Sequence, residues 1–340
     1  MVKALLTQVT DKIHTLPVLV LMPHSRCNCR CVMCDIWKSN HDKKEITSEE
    51  LSKHLESFKK LGVKHVAFSG GEALMHSNLW KFCELLKSIG VRISLLSTGI
   101  TLAAHAAKVV RHTDDVIVSL DGPREVHNRI RNLPAAFEKL DAGIKAIKAI
   151  SPTFRVTGRC VLQKLNYRHL GDIISASKAL MLDQISFLTA DVSTDAFNRD
   201  VPWTGEKVVE ISLNNDEANE FEEIVRDSFS KFGDLYDNRF IAESRAKMLG
   251  LAQYYQALLG KNSFPVKKCN APWVSAVVES DGEVRPCFFH KSYGNLFGNS
   301  LPEILNSPAA ISFRKNLDMK HDPICERCVC SLHIGLRQML

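Results

Sequence analysis

Cys27-Asn28-Cys29-Arg30-Cys31-Val32-Met33-Cys34 follows a β-rich run, Val18–Met22, and places four thiols within eight residues. Thiolates are the natural ligands of iron–sulfur clusters and also serve structural zinc. Cys27, Cys31 and Cys34, at the spacing C-x3-C-x2-C, would leave one iron of a 4Fe-4S cube without a protein ligand. Such an open position is what lets a metal centre bind a small molecule. With Cys29 as a fourth ligand, the same stretch would make a closed zinc site, although zinc sites favour paired C-x2-C knuckles.

From Pro17 to about Thr189 the chain alternates short β-rich runs with helical patterns. The predicted strands are Val18–Met22, His65–Phe68, Arg92–Leu96, Asp115–Leu120, Phe154–Leu162 and Gln184–Leu188. The predicted helices are Ser48–Leu61, Leu79–Ile89, Leu102–Arg111, Ala135–Ala149, Tyr167–Met181 and Asp216–Phe232, the first opened by an N-cap signal at Thr47. Such repeated β-α units imply a parallel sheet with function on the loops after the strands' C-terminal ends. Six units fall short of the eight of a closed barrel. The expected fold is therefore α/β, a partial (β/α)6 TIM-like barrel with a small C-terminal hairpin-helix iron–sulfur domain. Its expected segments are a lead-in over 1–16, the core over 17–190, a helical insert over 191–264 and the cysteine-bearing end over 265–340. In the last, Val274–Val278 and Glu283–Arg285 flank Ser280-Asp281-Gly282 and read as a hairpin.

With 340 residues and 45% hydrophobic content the chain can bury a full core. The net charge of +6 is dispersed, and the densest cationic run, Lys43-Lys44 beside His41, is too short for a nucleic-acid arm. No stretch reaches the ~18 apolar residues of a membrane span, and the N-terminus lacks a signal-peptide core. The expected location is cytoplasmic. The eleven cysteines cluster at both ends of the chain, which suits metal sites better than a disulfide framework. Cys83 and Cys160 stand apart and read as small buried hydrophobes.

Cys27-x3-Cys31-x2-Cys34 followed by Asp35-Ile36-Trp37 resembles the signature of the radical S-adenosylmethionine (SAM) superfamily. The resemblance makes the three cysteines the ligands of the SAM-binding cluster, places Trp37 on the adenine, and gives Cys29 no role. Ser69-Gly70-Gly71-Glu72, after the second strand, is similar to that family's GGE motif, in which Gly70 and Gly71 bring backbone close and Glu72 takes the SAM ammonium. Ser97-Thr98-Gly99 resembles the ribose-contacting segment, without its usual Asn. Ser119 and Asp121, in Ser119-Leu120-Asp121-Gly122, correspond to SAM contacts in relatives. Arg131 is a candidate partner of the SAM carboxylate, with Arg159 and Gln163 behind it.

Near the C-terminus, Cys269-x12-Gly282-x4-Cys287 and Cys325-x2-Cys328 resemble the extension called SPASM, or its shortened form, the twitch domain. Cys269, Cys287, Cys325 and Cys328 are the expected ligands of one auxiliary 4Fe-4S cluster, with Cys330 as an alternate; a four-cysteine zinc site is the competing reading. The resemblance implies reductive cleavage of SAM to a 5′-deoxyadenosyl radical that takes hydrogen from a substrate C–H bond. An electron passed to the auxiliary cluster would make the net reaction an oxidation. It also implies an electron donor such as flavodoxin or ferredoxin. The expected substrate is a small molecule, sugar-like as in some relatives; a peptide-modifying maturase and a non-enzymatic zinc protein are the rival classes. Asp191, Arg199, Trp203 and His290 are candidate substrate contacts, with Asp191 and His290 as candidate catalytic groups.

Overall fold

A computed structural model describes residues 2–199 and 201–335. Met1, Asp200 and residues 336–340, which fall in the expected segments 1–16, 191–264 and 265–340, lie outside them. Six parallel strands form the framework: β1 (Val18–Leu21), β2 (His65–Phe68), β3 (Arg92–Ser97), β4 (Asp115–Ser119), β5 (Arg155–Leu162) and β6 (Gln184–Thr189). They lie in sequence order, each beside the next, as right-handed β-α crossovers dictate. The strands alternate buried and half-buried residues along β1, β2 and β6. The fully buried set, including Leu19, Leu21, Val66 and Phe68, belongs to the main hydrophobic core. The other face lines an inner concavity.

Local signals set the helices. Ser48–Leu61 begins at a capping box in which Thr47 and Glu50 satisfy each other's backbone, worth about 1 kcal/mol. It ends at Gly62, which adopts the left-handed conformation. The segment expected as Tyr167–Met181 is a 3-10 turn, Tyr167–His169, followed by a helix, Leu170–Ala179. Several helices lie outside the predicted set. Val2–Thr10 occupies the lead-in, and Gly205–Ile211 lies inside the insert. Arg124–Arg131 is polar in sequence yet buries His127, Ile130 and Arg131.

The hairpin is built onto the barrel. Its first strand, β7 (Ser275–Val278), runs parallel to β1, with Val18 level with Ser275 and Leu21 with Val278. β8 (Glu283–Arg285) and β9 (Gly294–Asn295) add antiparallel strands beyond it. The result is one open sheet in the order β6-β5-β4-β3-β2-β1-β7-β8-β9. The two cysteine-rich ends of the sequence thus meet at the β1–β7 pairing. Among the described residues no helix is long and apolar enough to cross a membrane.

Candidate functional site

The loop after β1 carries Cys27, Cys29, Cys31 and Cys34. Asn40 clamps its start, accepting from the Cys27 N–H at 2.8 Å and donating to the Cys27 carbonyl at 3.0 Å. The Val32 N–H donates to the Ile130 carbonyl at 3.0 Å, which ties the loop to the Arg124–Arg131 helix. Burial pushes the Cys27 and Cys34 thiols up to about 12. Their ionisation therefore needs a cation to compensate. Cys31 is pulled down by a hydrogen bond from Cys29, then by the Arg131 guanidinium. Three thiols on one loop, Cys27 and Cys34 half-buried and Cys31 buried and already biased toward thiolate, fit an iron–sulfur cluster, and Cys29 serves as donor to Cys31.

Gly70–Glu72, after β2, wedges against this loop. A Cβ on Gly71 would sit 1.9 Å from the Arg26 carbonyl oxygen, so only glycine fits. Gly70 holds φ at +97°. The Glu72 N–H donates to the same Arg26 carbonyl at 3.0 Å. The Glu72 side chain is fully buried and accepts from the Leu74 N–H at 3.1 Å, the Thr98 N–H at 2.6 Å and the Ser97 hydroxyl at 3.1 Å. Thr98 also lies within hydrogen-bonding distance of Asn28, at 2.9 Å. The structure thus brings Glu72, Ser97 and Thr98 together with the cysteine loop. The Glu72 carboxylate ties the second loop to the third.

His24 is a brace that spacing alone did not reveal. Its Nδ1 accepts from the Arg26 N–H at 2.9 Å, and its Nε2 faces the Glu72 carbonyl at 2.7 Å. A carbonyl only accepts, so the ring is neutral with its proton on Nε2. Burial lowers its pKa from 6.5 to about 4.

Asp121, after β4, forms a buried ion pair with Arg131. Arg131 Nη1 also lies 3.5 Å from Cys31 Sγ. Arg131 therefore stands at the first thiol set, with its charge balanced by Asp121. Ser119 is half-buried at the end of β4. Trp37 is half-buried on a 3-10 turn, Ile36–His41, with the Arg30 guanidinium 5.6 Å above its ring. Gln163, after β5, is fully buried with both side-chain polar atoms unpartnered among the described residues. Such an orphaned amide costs about 1–3 kcal/mol for each unmade bond, so a water or a ligand atom would be held there.

The loop after β6 crosses over the first cysteine loop. Asp191 and Arg199 form a buried ion pair at 2.8 Å, and Thr194 donates to the same carboxylate at 2.6 Å. Arg199 stacks 3.7 Å from the Trp203 ring centroid, and Trp203 donates to Asp35 at 2.9 Å. Asp191, Arg199 and Trp203 thus form a clasp. The Asp191 oxygens are already engaged, which leaves it unsuited to proton transfer. A polar cavity of about 320 Å³ opens beside this clasp, bounded by Gly70, Gly71, His24, Asn198, Arg285 and Phe288.

The five terminal cysteines line a different cavity of about 280 Å³. Val20 of β1 and Val277 of β7 line it too. Asn270 clips the C-terminal segment in place, donating to the Leu332 and Ile334 carbonyls and accepting from the Ile334 N–H. Burial raises Cys287 to about 11 and Cys325 to about 12. Among the described residues the trio of metal-donor atoms that all fall within 4.8 Å of one another is His290, Asp322 and Cys325. Four sulfurs on one zinc lie closer together than the thiols here, at about 3.8 Å for Zn–S bonds of ~2.3 Å. A wider group such as a cube of irons and sulfides suits the cavity better. His290 lies 3.3 Å from Cys325 Sγ, so the structure moves it from a substrate contact to the wall of this cavity.

The comparisons with known proteins agree with this geometry. The model of the radical SAM superfamily matches residues 21–176, and that of SPASM, an iron–sulfur cluster-binding domain, matches residues 269–329. The chain thus carries a radical SAM domain and a SPASM domain. It is a radical SAM enzyme whose cofactors are a 4Fe-4S cluster with SAM and an auxiliary iron–sulfur cluster in the SPASM region. Fe-coproporphyrin III synthase of Methanosarcina barkeri is 24% identical, over 94% of this chain and 84% of that protein. The cysteine-type anaerobic sulfatase-maturating enzyme of Clostridium novyi is 25% identical, over 92% and 85%. Streptococcus suis SuiB, solved with its precursor peptide SuiA, shares the fold at TM-score 0.67 and 12% identity, over 96% of this chain and 73% of that one. The zinc-protein reading gives way to these matches.

Proposed function

We propose that this radical SAM enzyme carries out a net oxidation of a small molecule at a C–H bond, with Cys27, Cys31 and Cys34 holding the SAM-cleaving cluster. Cys269, Cys287, Cys325 and Cys328 would hold the auxiliary cluster, with Cys330 as spare thiol. The observation that supports this most is the β1–β7 pairing, which sets both thiol groups on one sheet. When bound, the first cluster supplies the electron that splits SAM into methionine and a 5′-deoxyadenosyl radical.

The chain's own residues do the rest. Gly70 and Gly71 let backbone approach the methionyl end of SAM. Glu72, Ser97 and Thr98 set the shape of that approach and would offer acceptors to the ammonium and ribose. Ser119 and Trp37 flank the nucleoside. Arg131, neutralised by Asp121, steadies Cys31. The clasp made by Asp191, Arg199, Trp203 and Asp35 keeps water away. Hydrogen leaves the substrate as an atom. Loss of one further electron and one proton completes its oxidation, and the terminal thiol cavity is where that electron would be taken up. A flavodoxin or ferredoxin would supply the first electron, and the cytoplasm is the location that suits both.

The small-molecule reading is supported by the modest size of the polar cavity beside Gly70 and Gly71, about 320 Å³, part of which SAM itself would fill. A peptide is the second reading. It is favoured by relatives whose names refer to sulfatase maturation and to the bacteriocin subtilosin, against others named for Fe-coproporphyrin III and heme. Anaerobically reconstituted protein with dithionite and SAM should form 5′-deoxyadenosine. Adding the substrate should then give a product two hydrogens lighter. A redox-neutral product would sink the oxidation reading.

A further inference from the structure

Arg159 sits in the middle of β5, exposed between two buried neighbours, Gly158 and Cys160. It is level with Ser119 on β4 and Ser186 on β6. In-register residues share a face, and so do residues two apart on one strand. Followed across β4, β3, β2 and β1, the register puts Arg159 on the face that carries Val20 and Val277, the lining of the terminal thiol cavity. Arg159 is also the first of the charges acting on the Cys330 thiol. The guanidinium therefore projects into the concavity of the sheet, toward the C-terminal cysteines.

Several cations near this interior have partners, and Lys267, on the wall of the terminal cavity, donates to the Glu326 carbonyl at 3.2 Å. Arg131 pairs with Asp121, Arg199 with Asp191, and Lys247 with Glu243 at 3.4 Å. Among the described residues, the Arg159 side chain has neither a hydrogen bond nor an ion pair, while its carbonyl accepts from the Leu120 N–H at 3.0 Å. A guanidinium offers a rigid fork of donors that matches the two oxygens of a carboxylate or phosphate. Exposed on the inner face without a counter-charge, it is free to take one from a ligand.

We propose that Arg159 binds an oxyanion of the substrate, a carboxylate or a phosphate, and so orients the substrate on the inner face between the two thiol sites. This rests on the radical SAM reading above and adds a substrate class to it.

The test is phenylglyoxal labelling of the reconstituted holoenzyme, with modification of Arg159 quantified by peptide mass spectrometry. SAM alone should leave the labelling rate of Arg159 unchanged. Succinate or inorganic phosphate, added with SAM, should slow it roughly tenfold, as expected for one charge-assisted bidentate contact. Protection by succinate assigns a carboxylate, and protection by phosphate assigns a phosphoryl group. Protection by SAM itself, or by neither anion, overturns the proposal. The holoenzyme's SAM cleavage is assayed separately, so failure of the radical reading shows as missing 5′-deoxyadenosine whatever the labelling result.

Discussion

The two thiol sites are gathered in opposite ways. Cys27, Cys31 and Cys34 lie within eight residues of one loop, and the fold brings helpers to them. Those helpers are Gly71 and Glu72 from β2, Thr98 from β3, Asp121 from β4 and Trp203 from beyond β6. The terminal cysteines span Cys269 to Cys330 and meet only because β7 pairs with β1 and Asn270 clips the tail. A site concentrated in sequence depends on its surroundings for chemistry. A dispersed one depends on them for existence.

The largest expected effect follows from that contrast. Alanine at Cys27, Cys31 or Cys34 should abolish 5′-deoxyadenosine formation while leaving the iron of the terminal site, about four per chain. Alanine at Cys325 or Cys328 should do the reverse, losing about four irons while keeping SAM cleavage without substrate. Iron analysis and chromatography of the nucleoside separate the two patterns. If either set removes both clusters, the sites are not independent.

Next comes Gly71→Ala. Its Cβ would meet the Arg26 carbonyl at 1.9 Å, which forces the second loop off the cysteine loop. SAM cleavage should fall by roughly a hundredfold, in line with an ångström-scale misplacement, with iron content unchanged. Wild-type turnover in this variant would show that the wedge is dispensable.

The Asp121–Arg131 pair should show in stability. Arg131→Ala leaves a buried carboxylate without its partner and should cost about 3–5 kcal/mol. Chemical denaturation would read this as a lower midpoint, and an unchanged midpoint would mean that the carboxylate finds other partners.

His24 gives a smaller, pH-dependent effect. Its pKa is lower folded than unfolded, so the unfolded chain binds the extra proton first as pH falls. Its contribution is complete above pH 6.5 and is lost as pH falls toward about 4. The melting temperature should drop through that window, and His24→Gln should flatten the drop. The same slope in the variant would assign it elsewhere, for instance to His127, which burial also lowers.

The barrel and the first site were largely legible in the sequence, and the second site only in part. His65–Phe68 and Ser48–Leu61 fall where patterning and the Thr47 cap place them, because the signals are local. The Cys27–Cys34 loop and Gly70–Glu72 are readable for the same reason. The attachment of β7 to β1 is not, since Ser275–Val278 is buried at every position and shows no alternation to give its neighbour. Nor is the Arg124–Arg131 helix, whose buried Arg131 depends on Asp121 from another element. The links from Trp203 to Asp35 and from His24 to Glu72 join residues 168 and 48 positions apart, which no spacing rule reaches. Asp191 looked reactive as a carboxylate on a loop, until Arg199 and Thr194 were seen to engage it.

The most direct measurement is electron paramagnetic resonance of the dithionite-reduced holoenzyme, recorded with and without SAM, for the wild type and for a Cys27→Ala, Cys31→Ala, Cys34→Ala triple variant. The account predicts two reduced-cluster signals in the wild type, of which only one shifts when SAM is added. In the triple variant the signal that SAM leaves unmoved should remain alone. A single signal in the wild type, or a SAM-responsive signal surviving in the variant, would contradict the two-site account.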